Sequence, residues 1–141
     1  MSISLQSAEA VVAGARATGR TRGFQPLTVV VLDSGGNVVA AQREDGASNK
    51  RFEIAFGKAF GAVSLGSDSR ALMVRAEEQP YFIAAATSAI GGSLIPVPGG
   101  VLIRDAQGTV VGAVGISGDS SDNDETAAFA GIEAAGLHTT R

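Results

Sequence analysis

The sequence predicts an α+β domain: an antiparallel sheet built from two hairpins and flanked by helices. Three observations carry this expectation. The nine-residue pattern Asp-x-x-Gly-x-Val-Val-x-Ala occurs twice, over residues 33–41 and again over 105–113. In both places an apolar run precedes the aspartate, and an alanine-rich, helix-like run follows after a short polar stretch. Asp at the first and Gly at the fourth position of a tight turn between Val-rich and Ile-rich segments is a hairpin signal. Finally, 141 residues, 45% hydrophobic and 18% charged, suit one domain with a core of useful size. Neither hairpin can bury both faces alone, so the two are expected to share one sheet.

Residues 4–18 read as a helix. Ser4 or Ser7 can cap it, Leu5, Ala8, Val12 and Ala15 recur at helical spacing, and Gly19 and Gly23 mark its end. Residues 26–32 are β-branched and form a strand that the Asp33–Gly36 turn reverses into a partner over 37–43. After the loop from Glu44 to Asn49, a helix is expected over 50–65, with Phe52, Phe56, Ala59, Phe60 and Val63 along one apolar face. Ser67 or Asp68 caps a further helix to about Glu78. Gln79 precedes Pro80 and is biased away from helix, which sets a boundary there. Residues 81–90 read as a short buried helix or a lid. Pro96-Val97-Pro98-Gly99-Gly100 combines fixed φ at the prolines with free backbone geometry at the glycines. The second hairpin spans 100–105 and 109–117. A last helix covers about 122–135, with Gly136 as its stop.

Composition excludes several classes. A net charge of −3 leaves no electrostatic footprint for nucleic acid. No apolar run is long enough to span a bilayer, so no membrane partner is expected. The absence of Cys removes disulfides, thiolate metal sites and a cysteine nucleophile together. The first residues lack the apolar core of a secretory signal. Arg16, Arg20 and Arg22 with Ala and Ser faintly suggest a transit peptide, but fit an ordinary first helix better, and a cytoplasmic location is the expectation. The one histidine, His138, sits in a polar tail, so no Ser-His-Asp or His-metal constellation can be assembled.

The densest polar cluster runs from Gly115 to Glu125. Its glycines allow close backbone approach, and the N–H groups at the start of the last helix carry partial positive charge, so Ser117, Gly118 and Asp119 are candidate ligand contacts. Asp122, Asp124 and Glu125 read first as capping acids, Asp122 and Glu125 having capping-box spacing. Asp119, Asp122 and Glu125 recur every three residues, but not in the order of a calcium loop, and no metal is expected. Lys58 lies among small apolar residues. It either points into a pocket, where it would bind a carboxylate or titrate low, or covers apolar surface with its stem. Arg43 either clamps an anion or pairs with Glu44 or Asp45. Arg51, Arg70, Arg75 and Arg104 read as solvated.

Several of these segments, taken in order, have a precedent. They are Leu32-Asp33-x-x-Gly36-x-Val38-x-Ala40-x-x-Arg43-x-Asp45-Gly46-Ala47, Ala55-x-x-Lys58-Ala59, Pro98-Gly99-Gly100, and Val111-Gly112-Ala113-x-Gly115-x-Ser117-Gly118 followed by Asp124. They resemble the GlcG/HbpS-like haem-binding family, which includes the C-terminal domain of PduO-type cobalamin adenosyltransferases. The resemblance covers nearly the whole chain. It implies a profilin-like sheet, assembly into homo-oligomers from dimers to octamers, and binding of haem or another small molecule. The chain departs from haem-binding members in its iron ligands. With no Cys and His138 in the tail, only Met73, Tyr81 and Met1 remain, so a dedicated six-coordinate haem site is not expected, nor any other cofactor.

Three functions follow. The first is a small-molecule-binding protein with a pocket among Arg43, Asp45, Lys58, Pro98, Gly99, Gly100, Ser117, Gly118 and Asp119. Its ligand would be planar or carboxylated, with haem the family precedent. The alternative is a metal-independent isomerase or lyase for a small organic acid, using Lys58 and Asp124 or Asp45 as catalytic groups. The third is a structural oligomer joined through residues 80–97.

Overall fold

The computed structural model describes all 141 residues. Their order is α1 (Leu5–Thr21), β1 (Thr28–Asp33), β2 (Val38–Arg43), α2 (Arg51–Leu65), α3 (Ser69–Glu78), α4 (Pro80–Ala89), β3 (Gly100–Arg104), β4 (Val110–Ser117) and α5 (Ser121–Ala134). The four strands form one antiparallel sheet in the order β2-β1-β4-β3. The two hairpins thus join through β1 and β4, with Thr28 opposite Ser117 and Leu32 opposite Ala113.

The internal repeat has a local cause. Asp33 Oδ1 accepts the N–H groups of Gly35 and Asn37 at 3.0 and 2.9 Å, and Asp105 Oδ1 accepts those of Gln107 and Thr109, both at 2.9 Å. Gly36 and Gly108 take φ of +84° and +83°, which a side chain would oppose. Each Asp therefore closes its own turn, and each Gly lets the chain return. The backbone N–H bonds around Asp33 hold its carboxyl below the usual range.

Alternation along the strands splits the core into two layers. Val29, Val31, Val101, Ile103, Val114 and Ile116 face α1 and α5. Val30, Leu32, Leu102 and Ala113 face α2, meeting Ala55, Ala59 and Ala62. Burying each branched side chain contributes about 1.5–3 kcal/mol. α2 lays its alanines directly on the sheet, and Phe56 and Phe60 pack half-buried against the same cluster. Phe52, Phe56 and Phe60 stack along the flank of the helix, centroids 6.1 and 5.3 Å apart, with Phe52 exposed. A methyl group on Gly115 would stand 1.9 Å from the Ala55 carbonyl oxygen, which shows how closely α2 lies on β4.

Two expectations change here. α1 runs through Gly19 to Thr21, because Gly19 is buried where a methyl would come within 2.7 Å of Leu27 Cδ1. That glycine serves close packing and does not stop the helix. Residues 80–89 are helical, with the break at Gln79 as expected, but α4 lies on the surface: only Ile83 and Ala86 are buried, and Tyr81 is exposed. No helix is long and apolar enough to cross a membrane.

Candidate ligand-binding site

Lys58 and Asp124 meet beneath β4. Lys58 Nζ donates to Asp124 Oδ2 at 3.1 Å and to the Ile116 carbonyl at 2.9 Å. Asp124 Oδ1 accepts the Asp119 N–H at 2.9 Å. The two side chains are only 2% and 1% exposed. Burial pushes the Lys58 ammonium down from its ordinary value while the Asp124 charge holds it up. Burial likewise pushes the Asp124 carboxyl up, against the pull of Lys58. The pair ties α2, β4 and α5 together, with each charge spent on the other. Its geometry suits positioning and does not support the catalytic expectation for Lys58 and Asp124.

The glycines beside this pair are explained by it. Gly99 has φ of +124°, and a methyl there would stand 2.9 Å from Lys58 Nζ; one on Gly100 would stand 2.3 Å from the Lys58 carbonyl oxygen. The Gly99 carbonyl accepts the Ile116 N–H at 2.9 Å, and Ser69 Oγ accepts the Gly100 N–H at 2.7 Å. Pro98 is buried alongside. Gly118 is equally constrained, since a methyl would lie 2.2 Å from the Pro26 carbonyl oxygen. Pro98, Gly99, Gly100, Lys58, Ser117 and Gly118 do converge. They converge by close packing, however, and the expected glycine-rimmed hollow is filled by the Lys58 side chain.

The remaining expected residues separate. Asp119 takes the Gln25 and Ser120 N–H groups, both at 2.7 Å, and these bonds hold its carboxyl below the usual range. Arg43 neither pairs with Glu44 nor with Asp45; it donates to the Ala47 carbonyl. Glu44 points to the opposite face, accepting the Leu27 N–H at 2.7 Å and pairing with Arg16 and Arg20 at 3.2 and 3.3 Å. Asp45 is exposed beside them, at a shallow cleft of about 210 Å³ that Arg16, Arg20, Pro26 and Glu44 also line. The cap of α5 is Ser120, whose Oγ accepts the Asn123 N–H at 3.1 Å. Asp122 and Glu125 instead bind Arg70, which raises the Arg70 pKa. Asp119, Asp122 and Glu125 are therefore not gathered around one point.

Sequence reasoning missed Arg51. Its Nη1 donates to Ser117 Oγ at 3.1 Å and its Nε to Ser48 Oγ at 2.9 Å, so it links the start of α2 to the end of β4. Only the packing of α2 on β4 reveals that contact. The largest cleft, about 490 Å³, lies elsewhere, between α3, α5 and the tail, against Asp68, Arg70, Glu125, Phe129 and Arg141. Asp68 accepts the Leu102 N–H at 2.8 Å there, and burial raises its pKa.

Iron ligands are dispersed. His138 pairs by its backbone with Arg104 at the outer edge of β3, Met73 is on α3, and Tyr81 is on α4. None stands among the convergent residues around Ser117, so these do not fit an axially ligated haem.

Residues 3–133 match the family model described as haem degrading protein HbpS-like, and the chain belongs to that family. A search of curated proteins finds no significant match. Among solved structures, the haem complex of PduOC is similar at 23% identity, covering 100% of both chains with a TM-score of 0.86. A double mutant of HbpS from Streptomyces reticuli is 28% identical over 94% of this chain and 86% of its own, with a TM-score of 0.81. Protein ORFY from Klebsiella pneumoniae is 25% identical over 95% and 90%, with a TM-score of 0.84. The α+β fold of five helices and a four-stranded antiparallel sheet is therefore that of this family.

Proposed function

We propose that the protein binds a small planar or carboxylated molecule of the haem class, holding it by its carboxylates and its face without an axial side-chain ligand. The observation that carries this reading is the family match over residues 3–133, with a haem complex among the structures of the same fold. The dispersal of His138, Met73 and Tyr81 supports the second half of the statement. A homo-oligomer, from dimer to octamer, is part of the proposal. It is supported by β2, whose outer edge pairs with nothing in the chain while Val38 is 48% exposed. The other edge strand, β3, is covered by Asp68, Ser69 and His138.

Parallel titrations with hemin and with iron-free protoporphyrin IX test the ligand reading. Saturable binding of both, with similar affinities, is the expected result. Binding of neither would overturn it, and binding of hemin alone would restore an iron-ligating side chain.

A further inference from the structure

At the open end of the sheet, four polar side chains from four elements come together on the face that α2 covers. Thr28 alternates with Val30 and Leu32, which pack against Ala55 and Ala59, so its hydroxyl also points to that face, next to the first turn of α2. It is 1% exposed, and its Oγ1 is the one buried side-chain oxygen or nitrogen with no hydrogen-bond partner. Its cross-strand neighbours are Ser117 on β4 and Arg43 on β2, and residues directly opposite share a face. Ser117 is itself 1% exposed and holds Arg51.

The start of α2 adds to this. Lys50 occupies the N-cap position and gives no side-chain cap, and the N–H groups of Phe52 and Glu53 find no acceptor within the chain. An uncapped N-terminus carries partial positive charge. Lys50 and Arg51 are the cationic residues at that end, with the exposed Glu53 as the acidic residue of the turn. An orphaned hydroxyl costs free energy in a folded protein unless something pairs with it. The charged side chains that the sheet register and Ser117 bring to this hydroxyl, Arg43 and Arg51, are both guanidinium cations, so an anionic acceptor suits it as the missing partner.

We infer that Thr28, Ser117, Arg43 and Arg51, with the N-terminus of α2, form an oxyanion subsite for the carboxylate of an organic acid. The inference rests on the proposed small-molecule binding and assigns the carboxylate end of the ligand. Arg43 is exposed and held only to the Ala47 carbonyl, so it swings outward to admit the anion and then closes on it as a guanidinium–carboxylate pair. Thr28 and Ser117 supply the inner hydroxyls.

The test uses benzoate, its neutral analogue benzamide, and inorganic phosphate, titrated at constant ionic strength and followed by amide chemical shifts and thermal melting. Benzoate is expected to shift the amides of Phe52 and Glu53 saturably and to raise the melting temperature, while benzamide does neither. Thr28→Val, which keeps the shape, is expected to melt at the wild-type temperature or higher without anion, yet to bind benzoate about tenfold more weakly. Arg51→Gln should weaken benzoate similarly. A Thr28→Val protein that is less stable without anion, or that binds benzoate as well as wild type, overturns the subsite. Binding of phosphate but not benzoate overturns its assignment to carboxylates. If hemin and protoporphyrin bind while benzoate does not, the subsite fails and the proposed function stands; the reverse pattern keeps the subsite and removes that function.

Discussion

Replacing Lys58 by Met leaves the Asp124 carboxylate buried at 1% exposure with its charge unmatched. Methionine fills nearly the volume of the lysine stem, so little of the loss comes from a cavity. Removing one partner of a buried ion pair costs about 3–5 kcal/mol, and at about 3 °C per kcal/mol for a domain of this size the melting temperature falls about 10–15 °C. Asp124→Asn is milder, because the amide oxygen still accepts the Asp119 N–H and burial already favours the neutral lysine. The double variant Lys58→Met/Asp124→Asn removes both charges and should recover about 2 kcal/mol or more relative to the sum of the single variants. Calorimetry and urea denaturation of the four proteins give that coupling directly. A Lys58→Met protein as stable as wild type, or strictly additive losses, would refute a buried charged pair at the junction of α2, β4 and α5.

Two other outcomes follow from the same geometry. Gly115→Ala places a methyl 1.9 Å from the Ala55 carbonyl, a backbone atom that cannot rotate away, so α2 must lift from β4. A loss of about 3 kcal/mol or more is expected by denaturation, against less than about 1 kcal/mol for the exposed Gly66→Asn, whose φ of +73° asparagine tolerates. Asp119 is held below its ordinary pKa of 3.8 by backbone N–H groups. Its contribution is therefore complete above that value and lost as pH falls through the lower, folded-state value. Asp119→Asn should flatten the fall of stability with acidification below pH 3.8 and lower stability at neutral pH; an unchanged acid limb would show that its bonds to Gln25 and Ser120 carry no weight.

The hairpins were legible because turn chemistry is local. Asp33 and Asp105 bond to N–H groups two and four residues on, and that requirement is written in the repeat itself. The Gln79–Pro80 break was legible for the same reason. Gly19 was misread because a glycine inside a helix looks identical whether it ends the helix or admits Leu27. The apolar face of α2 was right at Ala59, and Phe56, Phe60 and Val63 pack against that core, but it left out Ala55 and Ala62. Hydrophobic periodicity follows the large phenylalanines, whereas contact with a glycine-bearing strand selects Ala55, Ala59 and Ala62. Lys58 and Asp124 were both singled out, but a sequence separation of 66 hid that each neutralises the other. Thr28 and Arg51 carried no signal in the chain; the register of β1 with β4 puts Thr28 beside Ser117, and the packing of α2 on β4 puts Arg51 there.

The most direct measurement is the map of amide chemical shifts when isotope-labelled protein is titrated with protoporphyrin IX. Saturable changes concentrated in residues 43–53 and at Ser117 and Gly118 are expected, with Thr28→Val weakening them. Changes centred on the cleft of Arg70, Phe129 and Arg141, or no saturable change at all, would contradict ligand binding at the open end of the sheet.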